Sequence, residues 1–472
     1  LSPRRAVLWL TSSLVGGCAV APAAHPPGLP APAAGHFTAV SPTADPSAEP
    51  PADWWRLYDS AELAGLVAEA LAANTDLRMA LAHLAQARAV EREARSGRYP
   101  STQLGAGAVY GRNLIADSIA GVLHKEANNQ TTTLLGFDMA YELDLYGRVA
   151  GSIAESLADA QAVEAAADMV RVVVAAETTR AWAGALSAGH ELAVARRSVQ
   201  IADEAVAIVA RQVGAGAASS FDLARVHLLA EQARSQLPLL EGRRRAAGFE
   251  LAALLGRAPS DELGHEGESP RITTALPVGD GAQLLARRPD VRQAERRVAA
   301  AGARVGVATA SLYPRVSLGA NLGLASNGVL RGPNAVNFAI GPLVSWSFPD
   351  QAAARARIAQ SNAAAAAALA GFDGTVLRAL KEVEQAITAC DAETERRKAL
   401  AAAQAQAAEA YRLSALRRRE GAASQLDVLN AEQTLLGTRA AVAAADSRIV
   451  DAQITLFKAL GGGWQRPAAA AE

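Results

Sequence analysis

Gly216-Ala217-Ala218-Ser219-Ser220-Phe221-Asp222 is written a second time as Gly421-Ala422-Ala423-Ser424-Gln425-Leu426-Asp427, at an offset of 205 residues. Each copy follows a long run with helical spacing, breaks it at a glycine that accepts positive φ, and resumes where Ser and Asp can cap the new amide groups. That pattern is the tip of a helix-turn-helix hairpin. Leu255-Gly256 meets Leu460-Gly461 at the same offset without a gap, so both copies open a similar helix. A single tip would be an ordinary turn in a helical bundle. Two at one offset favour a duplicated architecture in which both tips point the same way.

Further from the tips the correspondence continues at an offset of 214. Asp290 aligns with Asp76, Val291 with Leu77, Arg292 with Arg78, Ala294 with Ala80, Tyr313 with Tyr99 and Pro314 with Pro100. From Ser60 to Gly97 apolar residues recur at helical spacing (Leu63, Leu66, Val67, Leu71, then Leu77, Leu81, Leu84). After Pro100 the period changes. Ser101 to Tyr110 and Asn128 to Tyr146 read as a strand hairpin, with Leu135, Phe137, Met139 and Tyr141 on one face. In the second copy Val316, Leu318, Ala320, Leu322 and Leu324 alternate with Ser317, Gly319, Asn321 and Gly323. A turn-rich loop from Ser326 to Asn334 then leads to Phe338, Ile340 and the run Leu343 to Phe348.

Between Val149 and Val213 there is no proline, and one continuous helix over that span would be roughly 100 Å long. Gly184 and Gly189 are the places where it could bend or break. Asp222 to Leu255 returns, with Pro238 as a kink or break. The second half has no proline between Pro349 and Pro467, which leaves long helices over Ala352 to Glu420 and Ser424 to Leu460.

With 472 residues, 50% hydrophobic and 20% charged, the chain is ordered over most of its length. A net charge of -1 and the lack of a basic patch with interleaved aromatics argue against a nucleic-acid partner. Aromatics make up only 4%, and alanine fills many helical positions, which suits closely approaching helices. Two cysteines far apart, Cys18 and Cys390, exclude a disulfide framework, and Cys390 reads as a small buried thiol in a helix. His83 and His227 are solitary, no metal-ligand cluster is present, and no glycine-rich piece joins a strand to a helix as a phosphate loop would. No catalytic residue, metal or cofactor is expected.

At the N-terminus Arg4 and Arg5 precede an apolar stretch, Ala6 to Val15, of signal-peptide length. Leu14-Val15-Gly16-Gly17-Cys18 resembles a bacterial lipobox, which would make residues 1–17 a signal peptide and Cys18 the lipid-modified first residue. Ala19 after it is compatible, by resemblance to bacterial lipoproteins, with sorting to the outer membrane. Residues 18–52, rich in Pro and Ala, read as an extended tether. The two repeats are placed at 53–260 and 280–464, with a linker at 261–279 and a tail at 465–472.

Four strands in two hairpins are too few to close a barrel, since small barrels need about eight. Either the hairpins form a small sheet in water, or several chains pool them in a membrane, where every backbone group must be paired. Tyr99 and Tyr313 stand at strand entrances and Tyr141, Tyr146, Trp346 and Phe348 at strand exits, so all six gather at one end. That is the pattern of a membrane-interface belt, or of a plug between sheet and helices.

The whole chain from about residue 53 to 465 resembles the outer-membrane factors of tripartite efflux systems, in the lipoprotein branch that partners resistance-nodulation-division pumps. The resemblance rests on Trp54-Trp55-Arg56-Leu57-Tyr58, Tyr141-Glu142-Leu143-Asp144-Leu145-Tyr146-Gly147-Arg148, Arg287-Arg288-Pro289-Asp290-Val291-Arg292, Leu426-Asp427-Val428-Leu429 and Leu460-Gly461-Gly462-Gly463-Trp464, in family order. It implies a mainly α, internally duplicated channel. Four strands per chain would pool into a homotrimeric twelve-stranded outer-membrane barrel, joined to a long periplasmic α-helical barrel and an equatorial belt that includes the chain near Trp54 and after Leu460. The tips Gly216, Ala217, Ala218, Ser219 and Gly421, Ala422, Ala423, Ser424 would meet a periplasmic adaptor protein, with an inner-membrane pump supplying the energy.

In related channels carboxylates at and just after the Leu-Asp-Val-Leu motif form rings near the closed end. Asp427 matches the first position, and Asn430 stands where a second charge is frequent, which implies a weaker anionic ring. Asp427 would also serve as a helix cap. Arg417, Arg418 and Arg419 have no equal at the first tip, and as part of the gate they would pair with Glu420 or with the adaptor. The open alternatives are a non-channel periplasmic lipoprotein acting as a spacer or adaptor, and a protein-secretion conduit.

Overall fold

A computed structural model of the chain describes residues 37–39, 44–111, 122, 129–259, 270–326 and 332–464. The expected signal peptide, Cys18 and the 465–472 tail lie outside the described residues. The first copy runs β1 (Ala44–Asp45), a short 3-10 helix (Trp54–Tyr58), α1 (Ala61–Ala73), α2 (Thr75–Ser96), β2 (Ser101–Gly111), β3 (Gln130–Leu143), α3 (Arg148–Gly214), α4 (Ser220–Arg234) and α5 (Leu237–Leu254). The second runs β4 (Leu276–Pro277), α6 (Gly281–Arg287), α7 (Pro289–Ala310), β5 (Arg315–Ser326), a 3-10 turn (Gly332–Ala335), β6 (Val336–Ser345), α8 (Ala352–Arg419) and α9 (Gln425–Ala459).

The duplication is kept to the residue. α2 and α7 each have 22 residues, and both their starts and their ends differ by the 214 offset. α4 starts at Ser220 and α9 at Gln425, and α5 ends at Leu254 and α9 at Ala459, so the 205 offset holds at both ends. α3 is unbroken over 67 residues, so Gly184 and Gly189 do not interrupt it. Its partner α8 has 68 residues. Pro238 does mark a break: α4 stops at Arg234, and α5 takes the proline in its first turn, where a missing N–H leaves no hydrogen bond unmade. Asn74 separates α1 from α2, its Oδ1 accepting from the Leu77 amide at 3.0 Å and its Nδ2 donating to the Leu254 carbonyl at 3.1 Å.

By contacts the chain divides into two compact units, each drawing on both copies. The unit containing residues 85–163 and 294–371 holds one antiparallel sheet in the order β2-β3-β5-β6. Its register sets Gln103 opposite Asp138, Asp138 opposite Asn321 and Asn321 opposite Ala339. The next row sets Leu104, Phe137, Leu322 and Phe338 side by side. Because successive side chains alternate faces, the two rows lie on opposite sides. The two expected hairpins thus join through β3 and β5, while β2 and β6 remain unpaired outer edges.

The other unit contains the described residues of 28–84, 164–293 and 372–472, and its core is built around Trp54. The Trp54 ring stacks on Phe457 at 4.9 Å and 11°. A Cβ on Gly462 would come within 2.8 Å of Trp54 Cδ1, so only glycine lets the chain after α9 pass this ring. The Arg287-Arg288 pair closes the end of α9. Arg287 Nε donates to the Leu460 carbonyl at 2.9 Å and Arg288 Nη1 to the Ala459 carbonyl at 2.7 Å, which places positive charge on orphan carbonyls at a helix C-terminus. Asp290 and Glu382 hold the other face of Arg288 at 2.7 and 2.8 Å. Trp464 Nε1 donates to the Arg287 carbonyl, and Arg292 lies 4.7 Å over the Trp464 ring. Motifs far apart in sequence thus form one clasp.

Two expectations need correction here. The tether reading of 18–52 fails at its end: Thr38 and Ala39 donate backbone N–H groups to the Glu384 carboxylate, Pro50 is buried, and β1 pairs in parallel with β4. The 261–279 linker likewise ends in packed chain, with Ile272, Leu276 and Val278 buried in the core. Strands of two residues carry too little alternation to stand out from a proline-rich stretch.

Candidate functional site

Each tip is closed by the same hydrogen bonds. At the first, Gly216 has φ +68°, its N–H donates to the Val213 carbonyl, and Ala217 N–H reaches the Gln212 carbonyl at 2.7 Å. At the second, Gly421 has φ +77°, its N–H donates to the Arg418 carbonyl, and Ala422 N–H reaches the Arg417 carbonyl at 2.8 Å. This is the Schellman arrangement, which requires a left-handed residue that glycine supplies without steric cost. Ser219 and Ser424 then act as N-caps of capping boxes. Asp222 N–H donates to Ser219 Oγ at 3.1 Å, while the Asp222 carboxylate accepts from Ser219 N–H and O–H at 3.0 and 2.6 Å. Asp427 repeats this with Ser424 at 3.2, 2.8 and 2.7 Å. The serine hydroxyl and amide hydrogen bonds hold both carboxyls below the ordinary aspartate value.

The tip residues Gly216, Ala217, Ser219, Gly421, Ala422 and Ser424 are exposed, and Ala218 and Ala423 are half-buried. Asp427 and Asn430 are exposed as well. Below the turns, Ala205, Val209, Val226 and Leu429 form a small buried cluster that ties α3, α4 and α9 together. Arg225 Nη2 donates to Asn430 Oδ1 at 3.1 Å, linking positions that are themselves 205 apart. Packing here is incomplete, with a cavity of about 240 Å³ beside Ala205, Val226, Leu429 and Glu432. Arg417 and Arg418 fold back on their own turn, reaching the Ala422 carbonyl at 3.5 Å and Gln425 Oε1 at 3.4 Å. Sequence reasoning passed over Arg225 and Phe221, the latter 70% exposed beside the first turn. The 205 offset would have flagged Arg225 as the counterpart of Asn430.

The sheet is the second candidate element. Its strands have 11, 14, 12 and 10 residues, enough for tilted membrane strands of about 9–11. One face carries Leu104, Phe137, Leu135, Tyr141, Leu318, Leu322, Leu324, Phe338, Ile340 and Val344. Leu104 is 72% and Phe338 78% exposed. The opposite face carries Ser101, Gln103, Asp138, Asn321, Asn337 and several glycines, with Val109, Leu134 and Leu343 as its larger apolar side chains.

Aromatics collect at one end of this sheet. Tyr146 stacks on Tyr313 at 4.6 Å and Trp346 on Phe348 at 4.6 Å, with Trp346 Nε1 donating to the Leu312 carbonyl. Tyr99 is exposed, and Tyr141 lies within β3 opposite Leu318 rather than past the strand end. The strand-to-helix corner is built by the Tyr141–Arg148 stretch. Glu142 takes Arg148 through two bonds of 2.7 and 2.6 Å, Gly147 turns at φ +76°, and Asp144 accepts the first amides of α3.

Among the described residues there is no group of three His, Cys, Asp or Glu arranged to hold a metal. His83 and His227 are exposed, and burial raises the Cys390 thiol to about 12.

An internally duplicated, mainly helical chain with one exposed four-stranded sheet has the fold of outer-membrane channels. The chain belongs to the outer membrane efflux protein family, whose profile matches residues 66–257 and 281–462. It is 30% identical over 464 residues to outer membrane protein OprJ of Pseudomonas aeruginosa, covering 96% of this chain and 95% of that one. Nodulation protein T of Rhizobium leguminosarum bv. trifolii is 26% identical over 461 residues, covering 96% of each. The solved structure of the outer-membrane channel OprN superimposes with a TM-score of 0.87 at 32% identity, covering 95% of this chain and all of that one. This chain is therefore an efflux channel of the outer membrane, in keeping with the outer-membrane channel OprN that it superimposes on.

Proposed function

We propose that the chain acts as a homotrimeric, passive conduit of a tripartite pump, each chain giving four strands to one twelve-stranded barrel. The observation that carries this is the sheet, with an apolar face open on one side and two unpaired edges. Burying each large apolar side chain is worth roughly 1.5–3 kcal/mol, so a bilayer suits that face far better than water. In lipid an unpaired edge costs several kcal/mol per group, and closure with neighbouring chains removes it.

The exposed turns at Gly216–Ser219 and Gly421–Ser424 supply a docking surface for a periplasmic adaptor, with a resistance-nodulation-division pump in the inner membrane. Asp427 and Asn430 line the periplasmic gate, with Arg417 and Arg418 bracing the second turn. The cavity beneath the turns makes this the loosely packed part from which moving elements are drawn. Cys18 carries the lipid that anchors the N-terminus, and Cys18→Ser is expected to abolish incorporation of labelled palmitate; retained labelling would refute the anchor. For the conduit itself, detergent-solubilised mass and planar-bilayer conductance decide. A conducting trimer is expected, and a monomer without conductance would instead leave a periplasmic spacer.

A further inference from the structure

Along the four strands only Asp138, Glu142 and Arg315 carry charge. Glu142 is neutralised where the sheet meets α3, by Arg148 at 2.6 Å and Arg315 at 3.8 Å. Asp138 stands four residues further along β3, roughly 13 Å into the sheet. It has no ion-pair partner among the described residues. Register places it in one transverse row with Gln103, Asn321 and Ala339, three of the four being polar. The rows on either side of it on the same face are small: Ser101, Ala140, Gly319 and Gly341 below, and Gly105, Gly136, Gly323 and Asn337 above. Gln103, Asp138 and Asn321 also line one trough of about 620 Å³ along the sheet. The residues on either side of Asp138 in its own strand, Phe137 and Met139, belong to the apolar side.

An ionisable residue within membrane strands is costly unless it faces water, and it then acts on whatever passes. We propose that Asp138, flanked by Gln103 and Asn321, forms a cation-preferring ring inside the barrel lumen, a second selectivity element separate from the periplasmic tips. This rests on the trimeric barrel proposed above. Twelve strands about 4.8 Å apart and tilted by about 40° enclose a backbone circle roughly 24 Å across. A carboxylate reaching inward then lies roughly 9 Å from the axis, within the Debye length of about 10 Å at 0.1 M salt and far outside that of about 3 Å at 1 M. Apart from Asn337, the residues in the rows above and below are small, so this row holds most of the long polar side chains of that band of the wall. The ring therefore biases ions and charged solutes at low ionic strength and becomes nearly silent at high salt.

The test uses the full-length trimer in planar bilayers. Asp138→Asn keeps size and hydrogen bonding while removing charge. Its cation-to-anion permeability ratio is expected to fall at least about twofold in dilute salt and to match the unmodified protein at 1 M. In a separate pair, Asp138→Cys is expected to react with a charged, membrane-impermeant thiol reagent and change current, whereas Phe137→Cys stays unreactive. A trimeric Asp138→Asn channel with an unchanged ratio in dilute salt overturns the ring while leaving the conduit intact. Reaction at Phe137→Cys but not at Asp138→Cys overturns the assignment of faces. Absence of a conducting trimer in the unmodified protein overturns the reading on which the ring stands.

Discussion

The two tips share a backbone and differ in what surrounds it. Both turn on a left-handed glycine and restart on a Ser-Asp capping box with matching bond lengths. After the first turn the chain returns as two helices of 15 and 18 residues, broken before Pro238; after the second it returns as one helix of 35. Leu429 of the second is buried in the inter-hairpin cluster, and its counterpart at the 205 offset, Ala224, is exposed. Arginines fold over the second turn only. Duplication thus kept the chemistry that makes a turn and left free the residues that decide what the turn packs against. If the channel seals and opens at this end, as proposed above, one rigid frame with two different surfaces allows movement without unfolding.

The difference in burial gives the largest expected effect. Leu429→Ala should weaken the hairpin pair by roughly 2–5 kcal/mol, read as faster hydrogen exchange at the start of α9. Ala224→Gly should cost about 1 kcal/mol, confined to α4. Equal effects at the two positions would break the distinction. Because the capping is shared, Ser219→Ala and Ser424→Ala should each cost roughly 0.5–2 kcal/mol of local stability, and by similar amounts.

The same pairing fixes a pH response. Both Asp222 and Asp427 have folded-state values below the ordinary 3.8, so their caps contribute fully above that value. The contribution is lost as pH falls through the lowered folded-state values. Exchange at both tips, corrected for intrinsic rates, should therefore rise together on acidification, and a rise at one tip alone would contradict equivalent caps. The smallest effect concerns current. Asp427→Asn should lower cation preference by about twofold in dilute salt, while Asp222→Asn leaves it unchanged.

Much of this was legible in the sequence because periodicity is strong where elements are long. The absence of proline from Val149 to Val213 allowed one helix, and α3 is one helix across its two internal glycines. The alternation from Val316 to Leu324 gave β5 and its two faces. Contacts between distant segments were not legible. Nothing in Trp54 or Phe457 alone announces that they stack, and β1 and β4 are too short to show a period. The Arg287-Arg288 pair was visible only as part of a family motif, since its partners are carbonyls at the far end of α9. Asp138 was passed over for a related reason. Within β3 it reads as one polar residue in an alternating strand, and only the cross-strand register sets it beside Gln103 and Asn321.

If the sheet is one third of a closed barrel, the β2 edge of one chain must pair with the β6 edge of the next. Cysteines introduced pairwise along β2 (103–109) and β6 (337–343), in membranes and under mild oxidation, test this directly. Matched pairs should give covalent dimers and a trimer at which the ladder stops. Linkage confined within single chains, or a ladder continuing past three, would contradict it.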